Sequence, residues 1–559
     1  MAPKKADRAA AAELLFVPLG GAGEIGMNLN LYGYGPPKAH RWLMVDLGVT
    51  FENGLAGNRV VMPNPEFIEQ RRDRLDGLVL THAHEDHLGA VPYLWERLRC
   101  PVYATPFTAA ILRRKLRYDN RALDVEIVEI PLAGRFRVGP FDLEFVTLTH
   151  SIPEPNAIAI RTPAGLVLHT GDWKFDPNPV VGAVSDMAGL RRLGDEGVLA
   201  IVCDSTNVFT PGTSGSESDL LKGLGDLIEG CRGRVAVTCF ASNIARLETI
   251  AAAAQANGRD VVLAGPSLWR FNEAARETGY LPDTPAFISD EDAGYLPDDK
   301  VLIVCTGSQG EPQAALSRIA DGSHPHISLQ EGDTVIFSSR VIPGNEMAVG
   351  RVQNLLVGRG IELATWSDHL VHVSGHPARD ELIEMYGLIR PRISVPVHGE
   401  LRHLTEHARL ARGCQVSETV VAQNGSVVHL NGPGPRIVDR VPSGRLYLEG
   451  GKVVGDAHSV ARERTKMAFN GAAVVTVVCD RDGDMTAEPQ LATMALLDDA
   501  DTAGRNAVRA AIRKAVADLS PKRRREDDAV REAIRLAVRR SFRDICGKRP
   551  VTQVHLVRH

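Results

Sequence analysis

Four side chains that commonly bind metal ions fall within six residues, in the segment LVLTHAHEDHLGAV at positions 78–91. They are His82, His84, Asp86 and His87, and they follow a run of aliphatic residues. Alternate residues of an extended loop point the same way, so His82 and His84 can bind one ion together, while Asp86 and His87 point into a neighbouring space. The spacing therefore predicts two ions side by side. A solvated turn is the alternative, but it does not explain four such residues between an apolar strand and a helix.

The surrounding sequence predicts that this loop joins a strand to a helix, since HLGAVPYLWERL repeats apolar residues with a helical period. If metal lies at the carboxyl end of one strand, other strands should also stop at a metal-capable residue. Four apolar runs do so, ending at His150, Asp172, Asp204 and His398. A lone histidine of this kind is more often a core residue or a helix cap. Buried carboxylates and imidazoles are costly unless paired or metal-bound, so the recurrence predicts that the strand ends converge.

The N-terminal glycines give a misleading pattern. Gly21, Gly23 and Gly26 have GxGxxG spacing after a strand, and Asp46 lies about 20 residues further on, which is nominally a dinucleotide fingerprint. That motif needs a helix at the third glycine. The residues MNLNLYGYGPP instead alternate polar and apolar and then break at Gly-Pro-Pro. We therefore predict a β-hairpin whose glycines allow a tight turn near the metal loop.

A second cluster, HVSGH, consists of His372, Val373, Ser374, Gly375 and His376 and precedes a predicted helix. Two histidines, a hydroxyl and a flexible glycine can form a pocket of donors and backbone N–H groups for a phosphate. A pair of capping residues before the helix is the alternative interpretation.

The length of 559 residues predicts about three domains, and 44% apolar with 24% charged residues is typical of a globular protein. No apolar run approaches the roughly 18 residues of a membrane helix, and the basic, alanine-rich start lacks the apolar core of a secretory signal. We therefore expect a cytoplasmic protein without membrane contact. The eight cysteines are scattered without a CxxC, which indicates reduced thiols.

The middle of the chain, from about Asn207 to Leu363, alternates strands and helices, which predicts a parallel α/β domain inserted beside the metal loop. Such an insertion can close a cleft over the ions. A Gly- and Pro-rich linker at 431–445 then leads to a smaller α+β unit. Residues 502–559 carry 16 Lys or Arg and 6 Asp or Glu. This basic region suits contact with phosphates, but a solvated face or a subunit contact fits equally well.

These motifs resemble the successive motifs of the metallo-β-lactamase fold, and the chain is similar to the β-CASP nucleases of that fold. GGAGEIGMN, THAHEDHLGAVPYL, CDSTN, FASNIARLE, HVSGH and PVHGE further resemble the bacterial ribonuclease J family, from about Leu15 to about Leu430. The resemblance implies an α/β chain: a metallo-β-lactamase αββα sandwich, an inserted β-CASP α/β domain and a small C-terminal α+β domain. The expected boundaries are 1–206 and 366–430 for the two parts of the sandwich, 207–365 for the insertion, 431–450 for a linker and 451–559 for the C-terminal domain.

The resemblance also implies roles for individual residues. Two divalent ions would share Asp172 and have three further ligands each, namely His82, His84 and His150 for one ion and Asp86, His87 and His398 for the other. Zn²⁺ is expected, with Mn²⁺ or Mg²⁺ as alternatives. Asp204 would orient a ligand histidine, and the catalytic residues would be Asp86 and His376, with His376 protonating the leaving oxygen. The expected substrate-binding residues are Ala241, Ser242, Asn243, His372, Val373, Ser374, Gly375 and His376.

The activity implied by the resemblance is hydrolysis of single-stranded RNA in RNA maturation, including ribosomal RNA, and in messenger decay. A pocket for a 5′-monophosphate one nucleotide from the metals would give 5′-to-3′ exonuclease action; endonucleolytic cleavage stays open. The C-terminal region would mediate a homodimer or homotetramer. The alternative is another hydrolase of this fold, acting on DNA, on transfer RNA precursors, or on a small thioester or lactam. The inserted domain and the HVSGH cluster favour a long polyanion.

Overall fold

The computed structural model describes five stretches of the chain: 12–54, 57–118, 123–455, 459–498 and 500–559. The expected basic lead-in lies outside these residues as far as position 11. Within them, no helix is long and apolar enough to cross a membrane. All eight cysteines are free thiols, as their spacing predicts.

Two sheets form the core of a first unit, which comprises the chain up to Thr50 together with Met62–Gly444. The first sheet has eight strands in the spatial order Arg436–Arg440, Ser426–His429, Glu13–Gly20, Leu29–Gly35, Arg41–Val45, Leu75–Val79, Val102–Ala104 and Ile127–Glu129. The second has seven, in the order Arg135–Val138, Phe141–Thr147, Asn156–Thr162, Gly165–His169, Val198–Asp204, Ile393–Val397 and Glu418–Thr419. Glu13–Gly20 pairs antiparallel with Leu29–Gly35, so the predicted hairpin is confirmed.

The two sheets pack face to face through one apolar cluster. Phe16 and Val79 of the first sheet and Phe145 and Val202 of the second belong to it, and all are almost completely buried. A second cluster joins the outer face of the second sheet to helices. The helices of this sandwich are Glu66–Glu69, Arg72–Arg74 (3-10), Glu85–Leu88, Val91–Leu98, Pro106–Tyr118, Met187–Glu196, Arg379–Ile389 and Leu401–Gly413. The predicted sandwich of two sheets with outer helices is confirmed.

The helix predicted after the metal loop is interrupted. It forms two pieces, Glu85–Leu88 and Val91–Leu98, separated by Gly89 and Ala90. The N–H of Ala90 donates to the carbonyl of Leu47 instead of continuing the helix (3.0 Å). The break therefore ties the metal loop to the end of the neighbouring strand.

The insertion is a six-stranded sheet in which every strand pair is parallel, as predicted. Its strands, in spatial order, are Ile288–Ser289, Asp260–Ala264, Val301–Cys305, Val235–Thr238, Thr334–Phe337 and Glu362–Thr365. Its helices are Asp219–Glu229, Ile244–Ala256, Pro266–Glu277, Asp290–Tyr295 (3-10), Asp298–Lys300 (3-10), Ala315–Ala320 and Glu346–Val357. Because all strands run the same way, the loops after their carboxyl ends meet at one edge.

The second unit comprises Phe51–Val61 and Arg445–His559. It has a four-stranded sheet of Lys452–Gly455, Arg445–Glu449, Gly57–Pro63 and Thr50–Gly54, and a three-stranded sheet of Gln490–Met494, Ala472–Cys479 and Val551–Arg558. Its helices are Ser459–Asn470, Thr502–Ala517, Pro521–Arg524 and Asp527–Cys546. The predicted α+β character is confirmed.

Two of the expected boundaries differ from this grouping. Residues 51–61 were assigned to the first domain but belong to the second unit, and the expected linker 431–450 contains strands of both units. The physical reason is a strand pairing between segments almost 400 positions apart, which leaves no local signal in the sequence. The other boundaries stay predictions.

Candidate metal centre and active site

The five strand ends converge, as the sequence predicts. His150 follows Phe141–Thr147, Asp172 follows Gly165–His169, Asp204 ends Val198–Asp204, and His398 follows Ile393–Val397. All four strands belong to the second sheet, and the metal loop comes from the first. The carboxyl ends of the two packed sheets therefore deliver the polar groups to one place.

Three imidazoles face one another on one side of this place. The Nδ1 atom of His84 lies 3.1 Å from Nε2 of His82 and 3.1 Å from Nε2 of His150. The Oδ2 atom of Asp172 lies 4.0 Å from Nε2 of His82. Imidazole nitrogen and carboxylate oxygen atoms at such spacing suit a tetrahedrally coordinated cation such as Zn²⁺.

The other side is richer in carboxylate. Nε2 of His87 lies 3.1 Å from Oδ2 of Asp172, and Nδ1 of His398 lies 3.0 Å from Oδ1 of the same residue. Nε2 of His398 lies 3.2 Å from Oδ2 of Asp86. Asp172 thus belongs to both groups, and within each group the candidate ligand atoms lie within 4.8 Å of one another. We call the seven residues His82, His84, Asp86, His87, His150, Asp172 and His398 the metal cluster.

The protonation states of the two sides differ. Burial lowers the pKa of His82 and His150 well below the usual value, and it lowers the pKa of His84 to about 4, so all three present neutral nitrogen atoms. Burial also disfavours the charged forms of His87 and His398, yet the carboxylate of Asp172 raises the pKa of both well above the usual value. A bound cation would replace the positive charge of these two protonated rings beside the carboxylates, and the rings would then bind the cation in their neutral form.

The pKa values of the cluster carboxyls are lowered in the same way. Burial opposes ionisation of Asp172, but His398 and His87 hold its pKa well below the usual value. Asp86 is also ionised, because the positive charge of His87 and a hydrogen bond from His398 outweigh its burial and lower its pKa. Three neutral imidazoles and two ionised carboxylates, together with His87 and His398, which release a proton when they bind a cation, therefore fit divalent cations.

Asp46 is a functional residue that the sequence interpretation missed. Its Oδ2 atom lies 2.7 Å from Nδ1 of His87, and it accepts hydrogen bonds from the N–H and the hydroxyl of Thr81 (2.8 and 2.9 Å). Carboxylates in this position fix the tautomer and orientation of a metal-binding histidine. The available signal was that Asp46 follows a strand, RWLMV, in the same way as Asp172, but the sequence analysis relates Asp46 only to the nominal dinucleotide fingerprint.

The glycine-rich N-terminal turn supports the metal loop. Asn28 donates from Nδ2 to the carbonyl of Asp86 (3.0 Å) and lies 3.1 Å from Nε2 of His87. Gly21 has φ +81°, and a Cβ atom there would lie 2.1 Å from Oδ1 of Asn28. The strand Leu29–Gly35, not a helix, follows these glycines. The dinucleotide alternative is therefore excluded, and the predicted proximity to the metal loop is confirmed.

The segment His372–His376, here called loop 372–376, contacts the metal cluster at its C-terminal end. Nδ1 of His150 donates to the carbonyl of Gly375 (2.5 Å), and a Cβ atom on Gly375 would lie 2.7 Å from Cε1 of His150. Nδ1 of His376 lies 2.8 Å from Oδ2 of Asp204 and 3.9 Å from Oδ2 of Asp172. The loop is thus as close to His150 as its glycine permits.

Asp204 and Thr206 connect this loop with His398. The Thr206 hydroxyl donates to Oδ1 of Asp204 (2.7 Å) and lies 3.2 Å from Nδ1 of His398. Although burial opposes its charged form, the Asp204 carboxylate raises the pKa of His376 above the usual value. Asp204 therefore keeps the His376 ring protonated and oriented.

Arg246 is the second residue that sequence reasoning missed. This completely buried side chain pairs with Glu217 (Nε to Oε1, 2.5 Å) and donates to the carbonyls of Ser338 and Val371 (2.7 and 3.3 Å). Its Nη1 lies 3.4 Å from Nδ1 of His372. Arg246 therefore fastens the His372 end of the loop to the inserted domain. Its position in the quoted motif FASNIARLE was the only signal.

The three substrate-binding residues expected in the inserted domain are related only indirectly to loop 372–376. Ala241, Ser242 and Asn243 follow the strand Val235–Thr238, and Oδ1 of Asn243 accepts from the N–H of Arg246 (2.8 Å) as a helix cap. Among the described residues, neither Ala241 nor the Ser242 side chain hydrogen-bonds to loop 372–376. Asn243 reaches that loop only through Arg246.

Comparisons with known proteins agree with this arrangement. Four family models match the chain: Beta-lactamase superfamily domain (residues 41–189), Ribonuclease J, beta-CASP domain (232–356), Zn-dependent metallo-hydrolase RNA specificity domain (367–422) and Ribonuclease J C-terminal domain (459–559). The third match contains loop 372–376 and His398. The four matches follow the chain in the order of the domains described above.

Individual relatives extend the likeness to almost the whole chain. Ribonuclease J of Sinorhizobium meliloti is 43% identical over 99% of this chain and 98% of its own length. Ribonuclease J of Thermus thermophilus is 37% identical over 83% of this chain and 82% of its own. A solved structure of a protein of unknown function from Enterococcus faecalis V583 covers 75% of this chain and 100% of its own, with a TM-score of 0.53 and 17% identity, which is a likeness of fold alone.

Proposed function

The chain belongs to the ribonuclease J family, and from this premise we propose how this metal-dependent ribonuclease recognises and cleaves RNA. The metal cluster holds two divalent ions, Zn²⁺ in the first place and Mn²⁺ or Mg²⁺ as alternatives. The observation that carries this proposal is the position of Asp172, whose two oxygens face different members of the cluster: Oδ1 faces His398 and Oδ2 faces His87 and His82. Two cations there would lower the pKa of a shared water and neutralise charge that develops at phosphorus.

The protein's own groups supply orientation and a proton. His376 is the proposed general acid: Asp204 binds its Nδ1 atom and raises its pKa, so the other ring nitrogen carries a proton that can pass to the leaving oxygen. Asp86, whose side chain is 28% exposed, is proposed to hold an ion and to orient the attacking water at the open side of the cluster.

Loop 372–376 is the proposed site for a substrate phosphate. Burial and the charge of Arg246 lower the pKa of His372 to about 3, so this ring is neutral and offers one N–H to an anion while Arg246 binds near its other nitrogen. Asn207 donates to the Ser374 hydroxyl (2.8 Å), which leaves the hydroxyl hydrogen for a ligand. With Ala241, Ser242 and Asn243 across the cleft, the loop would hold a 5′-monophosphate and direct cleavage in the 5′-to-3′ direction.

The decisive experiment compares matched RNAs that carry 5′-hydroxyl, 5′-monophosphate or 5′-triphosphate ends, incubated with the purified protein and Mg²⁺ or Mn²⁺. Release of mononucleotides mainly from the monophosphate is expected. Products of internal size from all three would replace the exonuclease proposal with an endonuclease. Full activity of Asp86→Ala would separate cleavage from the proposed ions, and unchanged turnover by His376→Ala on the monophosphate would remove the acid role.

The oligomeric state and location are further proposals. The strand Val551–Arg558 lies at the edge of its three-stranded sheet, an arrangement that permits pairing with a second copy. We propose a homodimer or homotetramer through this C-terminal region, and we propose a cytoplasmic location. Truncation at Gly444 tests the first point: loss of dimers without loss of salt-dependent RNA affinity would assign the region to assembly alone and remove its RNA contact.

A further inference from the structure

Lys174 and Asp176 form a buried ion pair that has no part in the chemistry proposed above. Their side chains are 2% and 1% exposed, and Nζ of Lys174 lies 2.9 Å from Oδ2 of Asp176. A buried ion pair usually adds little net stability, because the loss of hydration offsets the attraction between the charges. The pair is therefore better explained by what it positions than by the stability that it adds.

The backbone of Lys174 is fixed between two residues of the metal cluster. Lys174 lies two residues after Asp172, and Thr149 immediately precedes His150. The N–H of Lys174 donates to the carbonyl of Thr149 (2.8 Å), and the Thr149 hydroxyl donates to the carbonyl of Lys174 (2.7 Å). The ion pair therefore starts from a place that is fixed relative to the cluster.

The two side chains hold three consecutive residues that lead into the inserted domain. Nζ of Lys174 donates to the carbonyl of Gly215 (3.0 Å). Asp176 accepts from the hydroxyl of Ser216 (2.6 Å) and from the N–H of Glu217 (2.9 Å). Burial opposes the ionised form of Asp176, but these two hydrogen bonds and the charge of Lys174 lower its pKa. We call the three residues Gly215, Ser216 and Glu217 the entry segment.

The entry segment contacts the phosphate-binding loop in two ways. A Cβ atom on Gly215 would lie 3.0 Å from Cγ1 of Val373, so the backbone of the segment packs closely against the loop. Glu217 binds Arg246, whose Nη1 lies 3.4 Å from Nδ1 of His372. Both contacts connect the ion pair with the His372 end of the loop.

The other end of the loop is held independently of this pair. Nδ1 of His376 lies 2.8 Å from Oδ2 of Asp204, and Asn207 donates to the carbonyl of His376 (3.2 Å). Neither hydrogen bond involves the ion pair. A change in the pair should therefore move the His372 end, and leave the proposed general acid in place.

We propose that Lys174 and Asp176 are positioning residues for recognition of the substrate's 5′-phosphate. They set the distance between the metal cluster and the His372 end of the loop. A 5′-monophosphate held in the loop then places the phosphodiester bond one nucleotide away at the cations. The inference rests on the proposed function of loop 372–376, and it adds that selectivity for the 5′ end depends on a buried pair that itself touches neither RNA nor metal.

The test compares the metal-loaded full chain of the wild type with that of Lys174→Met/Asp176→Asn, on RNAs with a 5′-monophosphate or a 5′-hydroxyl end. A misplacement of about 1 Å can cost about 100-fold, so the ratio of kcat/KM for the two RNAs should fall about 10- to 100-fold. The fall should come mainly from a higher KM for the monophosphate. The kcat/KM for the hydroxyl RNA should stay near the wild-type value, since the metal cluster and His376 keep their places.

Two further variants sharpen this comparison. Ser216→Ala removes only the hydroxyl that binds Asp176, and it should lower the ratio by a smaller factor, which keeps the test decisive if the double variant does not fold. Glu144→Gln is the matched control. Glu144 is a buried carboxylate on the same sheet, and it pairs with Arg161 and Arg192. The control should leave the ratio unchanged.

Hydrogen exchange measured by mass spectrometry reports on the loop without RNA. The double variant should exchange faster than the wild type in the entry segment and in loop 372–376, and equally in the strand Val198–Asp204. Unchanged exchange in the segment and the loop, or equal losses of activity on both RNAs, would overturn the positioning role and leave the proposed function intact. Equal rates of the wild type on both RNAs would instead refute the proposed phosphate site, and this inference with it.

Discussion

The metal cluster and loop 372–376 are neighbours, yet the fold holds them in different ways. The cluster is built on strand ends of two packed sheets, and four of its seven side chains are no more than 3% exposed. The loop has no regular secondary structure and depends on a buried arginine from another domain. Rigid elements position one site, and hydrogen bonds from side chains, with Arg246 at the His372 end, position the other.

This difference separates chemistry from substrate binding. In the proposed function, two ions must stay at a fixed distance from each other, which a sheet edge provides. The proposed phosphate-binding loop must accept and release a polynucleotide, and Arg246 links its position to that of the inserted domain. We therefore expect substitutions in the metal cluster to abolish cleavage. Substitutions of Arg246 should affect both RNA binding and the stability of the protein.

The largest effect is expected from Asp172→Asn, which removes a charge that both halves of the cluster share. Loss of several kcal/mol of charge stabilisation corresponds to a fall in kcat of about 10³-fold or more. Steady-state cleavage and the metal content of the purified protein measure it. Asp195→Asn is the control, because Asp195 is a surface residue paired with Arg390. Retention of the bound metal and of activity would refute the proposed shared role of Asp172.

Arg246→Met tests how loop 372–376 is positioned. Leaving Glu217 as an unpaired buried charge should lower the free energy of unfolding by about 3–5 kcal/mol. The double variant Arg246→Met/Glu217→Met removes both charges and should regain part of that stability, as measured by denaturant unfolding. Both variants should lose RNA turnover, because methionine cannot donate a hydrogen bond to the carbonyl of Val371. Wild-type turnover by the double variant would show that the loop needs no anchor.

Asp46→Asn should weaken the cluster without dismantling it. An outer partner of a metal-binding histidine typically contributes about 10- to 100-fold in metal affinity. We expect activity to fall at limiting metal and to return when metal is in excess, which a metal titration of RNA cleavage measures. A loss that excess metal does not restore would mean that Asp46 serves the reaction itself.

The difference between the metal cluster and loop 372–376 also explains which of their residues the sequence predicted. The cluster was predictable because its members lie at the end of an apolar run or in the loop that follows one, and strand ends of packed sheets meet. Asp46 also follows a strand end, and it was missed only because it matched the dinucleotide fingerprint as well. Arg246 had no such rule, since its partners Glu217, Ser338 and Val371 lie up to 125 positions away. The pairing of residues 57–63 with 445–449 was hidden for the same reason.

The smallest expected effect concerns Asp204, which touches both regions. Its carboxylate raises the pKa of His376, so the proposed general acid stays protonated up to a higher pH. Asp204→Asn keeps an oxygen for Thr206 but removes the charge, so the pKa of His376 should fall. The alkaline limb of the pH profile of kcat should then move to lower pH, while the unfolding midpoint changes little. Asp172, His150 and His398 also face His376, but they are unchanged in this variant. An alkaline limb that does not move would assign the proton to another group, and Asp204 would then only support the position of His398.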